Sequence, residues 1–471
     1  MSNFLNKCRV CLAAAILFIL SACETDLNEV PRDETPLALS YGAAAPPDFA
    51  GMMHSAAATY TRYTFLNELG VQWVHLSSHW DSIQPEEHYW REGLNDAQVL
   101  FAQKMGKNMF SSFNYAPGWL PHSGKEDYVA EADLPYLVEY ARRIVRRYDG
   151  YHGYGKIHAW CIWNEPDTER FWKGTRKEFY ALVKAVIKGI REQDAELAVE
   201  LGVPGYHTTI VAGRLTAGVS DEWLEGLFDS GAVDDADFIS YHPYTSSAEK
   251  AASLVQNFKN RVRPYGFADR VWITEFGFPT RGTSGNAVME NAMPENVVKS
   301  FTLFAALGVH HLMWYHFDDD TLDSEDADSE HWFGLLDSAG GRRKTGYWAY
   351  ALCAAHIPGK TYRRFDTAGS DIPASVQTHY FEGADGKCLL VLWNSSAADT
   401  AGARVKLPEA GSGFLRHDTR DATTVSADDE GTAFAAGSEA VFDLGKNGAP
   451  AAPSLVFLTW TVPSPQNQGE S

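Results

Sequence analysis

Two glutamates stand out by where they fall. Glu165 lies in Trp163-Asn164-Glu165-Pro166 and Glu275 in Ile273-Thr274-Glu275-Phe276-Gly277, each closing a short apolar run. Two carboxylates facing one another across a cleft can share the work of cleaving a glycosidic bond. One must carry a proton for the departing oxygen. The other must be ionised to attack the anomeric carbon or activate water. A single strand-end glutamate is more often half of a structural ion pair, but two in such contexts point to chemistry.

Something must hold these groups opposite each other. Short apolar runs alternate with longer amphipathic ones, and eight strand candidates follow in order: Leu37–Tyr41, Gln72–Leu76, Asn108–Phe113, Ile157–Trp163, Ala198–Val203, Asp237–Tyr241, Val271–Thr274 and His310–Tyr315. Helical stretches separate them, among them Leu134–Tyr148 and Arg176–Glu192. Repeated strand-then-helix units imply a parallel sheet, and eight of them imply a closed (β/α)8 barrel. An open doubly wound sheet is the alternative. No Gly-rich phosphate loop follows the first strand candidate, where Gly42-Ala43-Ala44-Ala45-Pro46 stands instead. In a barrel, both glutamates sit at the C-terminal strand ends, where chemistry belongs. After about residue 357 the helical period gives way to short runs such as Val376–Phe381, Cys388–Trp393, Ala403–Leu407 and Ser454–Trp460. These read as an antiparallel β-sandwich. It is expected to buttress the barrel, with a carbohydrate-binding module as the other reading.

The motifs carry a resemblance. Asn164-Glu165-Pro166 on strand four and Thr274-Glu275-Phe276-Gly277 on strand seven resemble the signature of clan A glycoside hydrolases, closest in texture to glycoside hydrolase family 39, with family 5 next. Those are retaining enzymes on (β/α)8 barrels. The resemblance covers about residues 60–350. It includes Trp80, Ile83-Gln84-Pro85-Glu86, Tyr115-Ala116-Pro117-Gly118-Trp119, His242-Pro243-Tyr244, Trp314 and Phe333-Gly334-Leu335. It implies Glu165 as acid/base, Glu275 as nucleophile and Asn164 on the sugar 2-hydroxyl. It implies His242 and Tyr244 beside the nucleophile, and Trp314, Tyr115, Trp119 and Trp332 as flat faces for sugar rings. One departure matters. The clan commonly carries an Arg on strand two, where this chain has Val74-His75-Leu76. A neutral His supplies neither a fixed charge nor a forked donor. His75, His79 or Tyr244 would then have to hold Glu275, and a glycan-binding protein that has lost activity is the competing expectation.

Composition narrows the partners. The 471 residues carry a formal charge of −21. That disfavours nucleic acid and polybasic attraction to a membrane. A carbohydrate partner is expected, with no nucleic acid, no cofactor and no metal; oligomeric state stays open. Residues 318–330 hold eight acids, but not at EF-hand spacing, and are expected to form a solvated rim loop. No spacing such as H-E-x-x-H accompanies His310, His311 or His316. Lys7 and Arg9 precede the apolar run Cys11–Leu20, and Leu20-Ser21-Ala22-Cys23 resembles a bacterial lipobox. The expected organisation is a signal peptide 1–22, a lipid-modified Cys23 opening an acidic tether 23–36, a barrel 37–357, a sandwich 358–463 and a frayed tail 464–471. The expected location is the bacterial cell envelope, on the outer membrane or cell surface. With the signal removed and Cys23 lipidated, Cys161, Cys353 and Cys388 remain, an odd and scattered set that is not a disulfide framework; Cys161, in an apolar run, reads as a small buried residue.

Overall fold

A computed structural model describes residues 36–123, 126–282, 285, 287–338, 341–421, 424–425, 436–447 and 454–463. The signal, Cys23, nearly all of the tether and the tail therefore lie outside the described residues. Eight parallel strands close into a barrel in chain order: β1 (Ala50–Met52), β2 (Trp73–His75), β3 (Asn108–Phe113), β4 (Ala159–Ile162), β5 (Thr209–Thr216), β6 (Phe238–His242), β7 (Val271–Phe276) and β8 (His311–Trp314). Closure is direct: Ala50, Gly51 and Met52 pair with Leu312, Met313 and Trp314. Trp73, Phe110, Ala159, Cys161, Val211, Trp272 and Met313 pack inside. Cys161 belongs to this core, and burial pushes its thiol up to about 12, so it stays protonated.

Helices cover the barrel by the usual logic of an apolar stripe. In Leu134–Arg147 the buried residues are Leu134, Leu137, Tyr140, Ala141, Ile144 and Val145, and Pro135 opens the first turn. Helix Arg176–Glu200 starts at a capping box in which Thr175 and Glu178 satisfy one another's backbone N–H.

Two strand expectations fail. The first strand is Ala50–Met52, not Leu37–Tyr41. It reads Ala-Gly-Met because the barrel wall is tight there: a Cβ on Gly51 would sit 2.0 Å from Met313 Sδ. The fifth strand is Thr209–Thr216, not Ala198–Val203. The apolar residues of Ala198–Val203 instead end the 25-residue helix and the turn after it.

The C-terminal region is antiparallel. One sheet runs β14-β13-β16-β11-β10-β9 and a second pairs β12 with β15. These strands are β9 (Lys360–Arg363), β10 (Val376–Gly383), β11 (Lys387–Asn394), β12 (Ala401–Lys406), β13 (Ser412–His417), β14 (Thr424–Val425), β15 (Glu439–Leu444) and β16 (Leu455–Thr461). Leu390, Leu392, Ala403, Val405, Phe442, Leu458 and Trp460 fill the space between the sheets. This domain is tied to the barrel: Ser454 donates to Glu295 through both its N–H and its hydroxyl, at 2.9 and 2.6 Å.

The acidic rim segment is not simply solvated. Asp319 is buried, accepts from Lys344 Nζ at 2.6 Å and from the Gly334 N–H at 2.9 Å. Asp318 pairs with Arg62 at 3.0 Å, and Asp326 with His331 at 2.7 Å. Among the described residues no helix is long and apolar enough to cross a membrane.

Candidate active site

The C-terminal rim is where the backbone departs from the common basins. Among the described residues, five non-glycine residues have clearly positive φ: His54 after β1, Tyr115 after β3, Trp163 and Glu165 after β4, and Arg214 in β5. Each such residue costs on the order of 1–3 kcal/mol, and such strain gathers where side chains must be aimed. Trp163 is pinned by its indole N–H on the Phe171 carbonyl at 2.7 Å and its ring edge-on to Trp172. The Glu165 N–H donates to the Arg214 carbonyl at 3.0 Å.

The two carboxylates meet at His242. Its Nδ1 lies 2.9 Å from Glu165 Oε1 and 3.6 Å from Glu275 Oε2. One ligand atom each of Glu165, His242 and Glu275 lie within 4.8 Å of one another. That is the one cluster among the described residues with spacing for a cation, though both His242 nitrogens are engaged internally. Its Nε2 lies 2.9 Å from Thr274 Oγ1, and Thr274 in turn bonds Ser240. Burial pushes His242 down to about 3, so it is neutral and donates through one nitrogen only.

Charge separates the glutamates. Burial raises Glu165 from 4.5 to about 7, opposed by Arg214 and Arg170. Burial also pushes Glu275 up, and His242 and Arg214 oppose it. The decisive difference is contact. The Arg214 guanidinium touches Glu275 Oε1 directly, and Tyr244 donates to Oε2 at 3.5 Å. A guanidinium is always charged, so the ionised partner of the pair is Glu275. Asn164, beside Glu165, keeps a buried Oδ1 with no partner among the described residues.

Other expected site residues scatter. Tyr115 lies half-buried at the rim, edge-on to His79. Trp119 is half-buried, edge-on to Trp80 and Tyr136, and donates to the Gln84 carbonyl at 2.8 Å. His75 is buried against Phe110 and His54, and neither ring nitrogen has a partner among the described residues, so it does not hold Glu275. Two expectations are overturned. Trp314 is wholly buried among Phe276, Phe278 and Phe301 and offers no face to a sugar. Trp332 is buried too, bonded to the Asp326 carbonyl and covered by Arg281. The aromatic wall is built one residue later: Tyr315 packs edge-on to Tyr244, Phe333 and His54 and donates to Glu330 at 2.9 Å.

Arg214 is the residue that sequence reasoning missed. From β5 it makes the contact with Glu275 that His75 on β2 does not make. Its signal was a lone Gly-Arg pair inside the apolar run Thr209–Thr216, hidden because the strand was expected elsewhere.

Comparison with known proteins finds similarity to glycoside hydrolases. The profile described as glycosyl hydrolases family 39 matches residues 124–267, which include Glu165, Arg214, His242 and Tyr244 but not Glu275. A β-xylosidase of Caldicellulosiruptor saccharolyticus is 30% identical over 192 residues, 37% of this chain and 36% of that protein. One from Geobacillus stearothermophilus is 29% identical over 128 residues, 26% of this chain and 22% of that protein. The matches thus span about a third or less of these relatives' lengths. A family 39 glycoside hydrolase structure from Bacteroides cellulosilyticus WH2 superimposes with TM-score 0.67 at 18% identity, over 89% of this chain and 81% of that one. A GH39 β-xylosidase from Caulobacter crescentus gives TM-score 0.61 at 13% identity, over 90% and 98%. At these identities the structural likeness speaks for the fold.

Proposed function

We propose that this chain is a retaining glycoside hydrolase that cleaves β-glycosidic bonds through a covalent glycosyl-enzyme. The observation that carries the reading is the Glu165–Glu275 pair at the barrel mouth, with one carboxylate oxygen of each within 4.8 Å of the other. Double displacement uses the closer spacing of the two known arrangements, carboxyl groups about 5–5.5 Å apart rather than the about 6.5–9.5 Å that leaves room for a water in inverting enzymes, and so close an approach of single oxygens favours it. In the first step Glu275 attacks the anomeric carbon while Glu165 protonates the leaving oxygen. Esterification then removes the Glu275 charge. Arg214 stays cationic and uncompensated, which lowers the proton affinity of Glu165 and turns it into the base that deprotonates water. His242, neutral, steadies Glu165 in both states.

β-Xylosides are the first substrates to try, because the partial relatives are β-xylosidases. Glu275→Gln is expected to abolish turnover of the glycoside found in an aryl-glycoside screen while circular dichroism stays unchanged. Near wild-type turnover in that variant would sink the reading. The lipobox-like Leu20-Ser21-Ala22-Cys23 further supports export and lipid anchorage at the cell envelope, testable by fatty-acid labelling of wild type and Cys23→Ala.

A further inference from the structure

The side chain that contacts Glu275 most directly comes from an irregularity in β5. Ala212 pairs with Ile239, but Leu215, three residues on, pairs with Tyr241, two residues on. One extra residue is therefore inserted, at Gly213-Arg214. Gly213 has φ +94°, and a Cβ there would lie 3.0 Å from the Ser240 carbonyl oxygen. Arg214 follows with φ 52°. This is a β-bulge, a device that re-aims a side chain. It turns the guanidinium into the barrel, where Arg214 is 2% exposed, donates to Ser112 Oγ on β3 at 3.0 Å and contacts Glu275 on β7. The strand is clamped just beyond: Asp167 accepts from the Thr216 N–H at 3.1 Å and from its hydroxyl. The bulge also touches the acid, since the Arg214 carbonyl takes the Glu165 N–H.

Titratable groups reach Glu275 from several elements: Cys161 on β4 and Glu165 after it, His242 on β6 and Tyr244 beyond it, Tyr115 after β3, Tyr315 after β8, and Glu330 in the turn Ser329–Trp332. All are neutral or negative at pH 7. Arg214 is the fixed cation of that set.

We propose that Arg214 is a positioning residue, delivered by the β5 bulge, whose charge keeps Glu275 ionised and whose carbonyl holds Glu165 in register with it. The strand-two position, His75, is thereby released from that task. This rests on the reading of Glu275 as nucleophile. An opposite charge in contact lowers a carboxyl pKa by about 1–3. In Arg214→Met the acid limb of kcat/KM is therefore expected to move up by about 1–3 pH units. Deglycosylation should also slow at neutral pH, because Glu165 no longer loses its proton readily in the intermediate, giving a burst of aryl leaving group. Arg214→Lys, which keeps the charge without the fork, should hold the acid limb near wild type. An unmoved limb in Arg214→Met, or equal displacement in both variants, would overturn the proposal.

A second measurement needs neither those variants nor activity. In Glu165→Gln with carbon-13-labelled glutamate, the Glu275 carboxyl signal is expected to remain that of a carboxylate at pH 6. A Glu275 carboxyl protonated at pH 6 would overturn the proposal. A chain that hydrolyses no glycoside would sink the reading of the site, yet leave this titration to judge Arg214.

Discussion

Glu165→Gln should make the protein more stable, and far more so at pH 8 than at pH 5. Burial raises the folded-state carboxyl from 4.5 to about 7, and each pH unit of displacement corresponds to about 1.4 kcal/mol. The direction follows from proton binding. Below pH 4.5 the carboxyl is protonated in folded and unfolded chains alike, and nothing is lost. Between 4.5 and about 7 the unfolded chain sheds the proton first, so the folded state is increasingly penalised. Above about 7 both are ionised and the penalty is complete, on the order of 3 kcal/mol. From pH 5 to pH 8 it grows by about 2.5 kcal/mol. Glutamine carries no such penalty. Its altered contact with His242 does not titrate and cancels between the two pH values. Relief of Glu275 from a neighbouring negative charge acts in the same direction. Urea unfolding of wild type and variant at both pH values measures the quantity as a difference of differences. An equal stability gap at pH 5 and pH 8 would refute the account of Glu165 as a half-buried acid whose proton affinity the fold raises.

Two further outcomes follow from the geometry. The pH profile of kcat/KM should fall as pH rises through about 7, since Glu165 must be protonated to donate; a profile flat to pH 9 would contradict that role. Lys344→Met should cost about 3–5 kcal/mol in urea unfolding, because it strands the buried Asp319 carboxylate that Lys344 meets at 2.6 Å.

How much of this could be read from the chain depends on the scale of the signal. The two glutamates were legible because each closes an apolar run that became a barrel strand, β4 or β7. Their partners His242 and Tyr244 were legible as a spaced pair at the end of β6. The first strand was not, because Ala50-Gly51-Met52 has no β-branched residue: its sequence answers to steric room beside Met313 and Trp73 rather than to strand propensity. The fifth was displaced because Ala198–Val203 looks apolar enough for a strand but continues a capped helix. That error hid Arg214, whose inward aim comes from a bulge, a feature of register between strands that one strand's pattern does not encode. Trp314 failed for a related reason. Alternation fixes which neighbour faces the core, and a shift of one residue exchanges the buried Trp314 for the rim residue Tyr315.

The central claim is that Glu165 and Glu275 act by double displacement. Proton NMR of a β-glycoside during its first minutes of hydrolysis reads this directly, before mutarotation mixes the anomers. The account predicts that the sugar appears first as the β-anomer. First appearance of the α-anomer would contradict it.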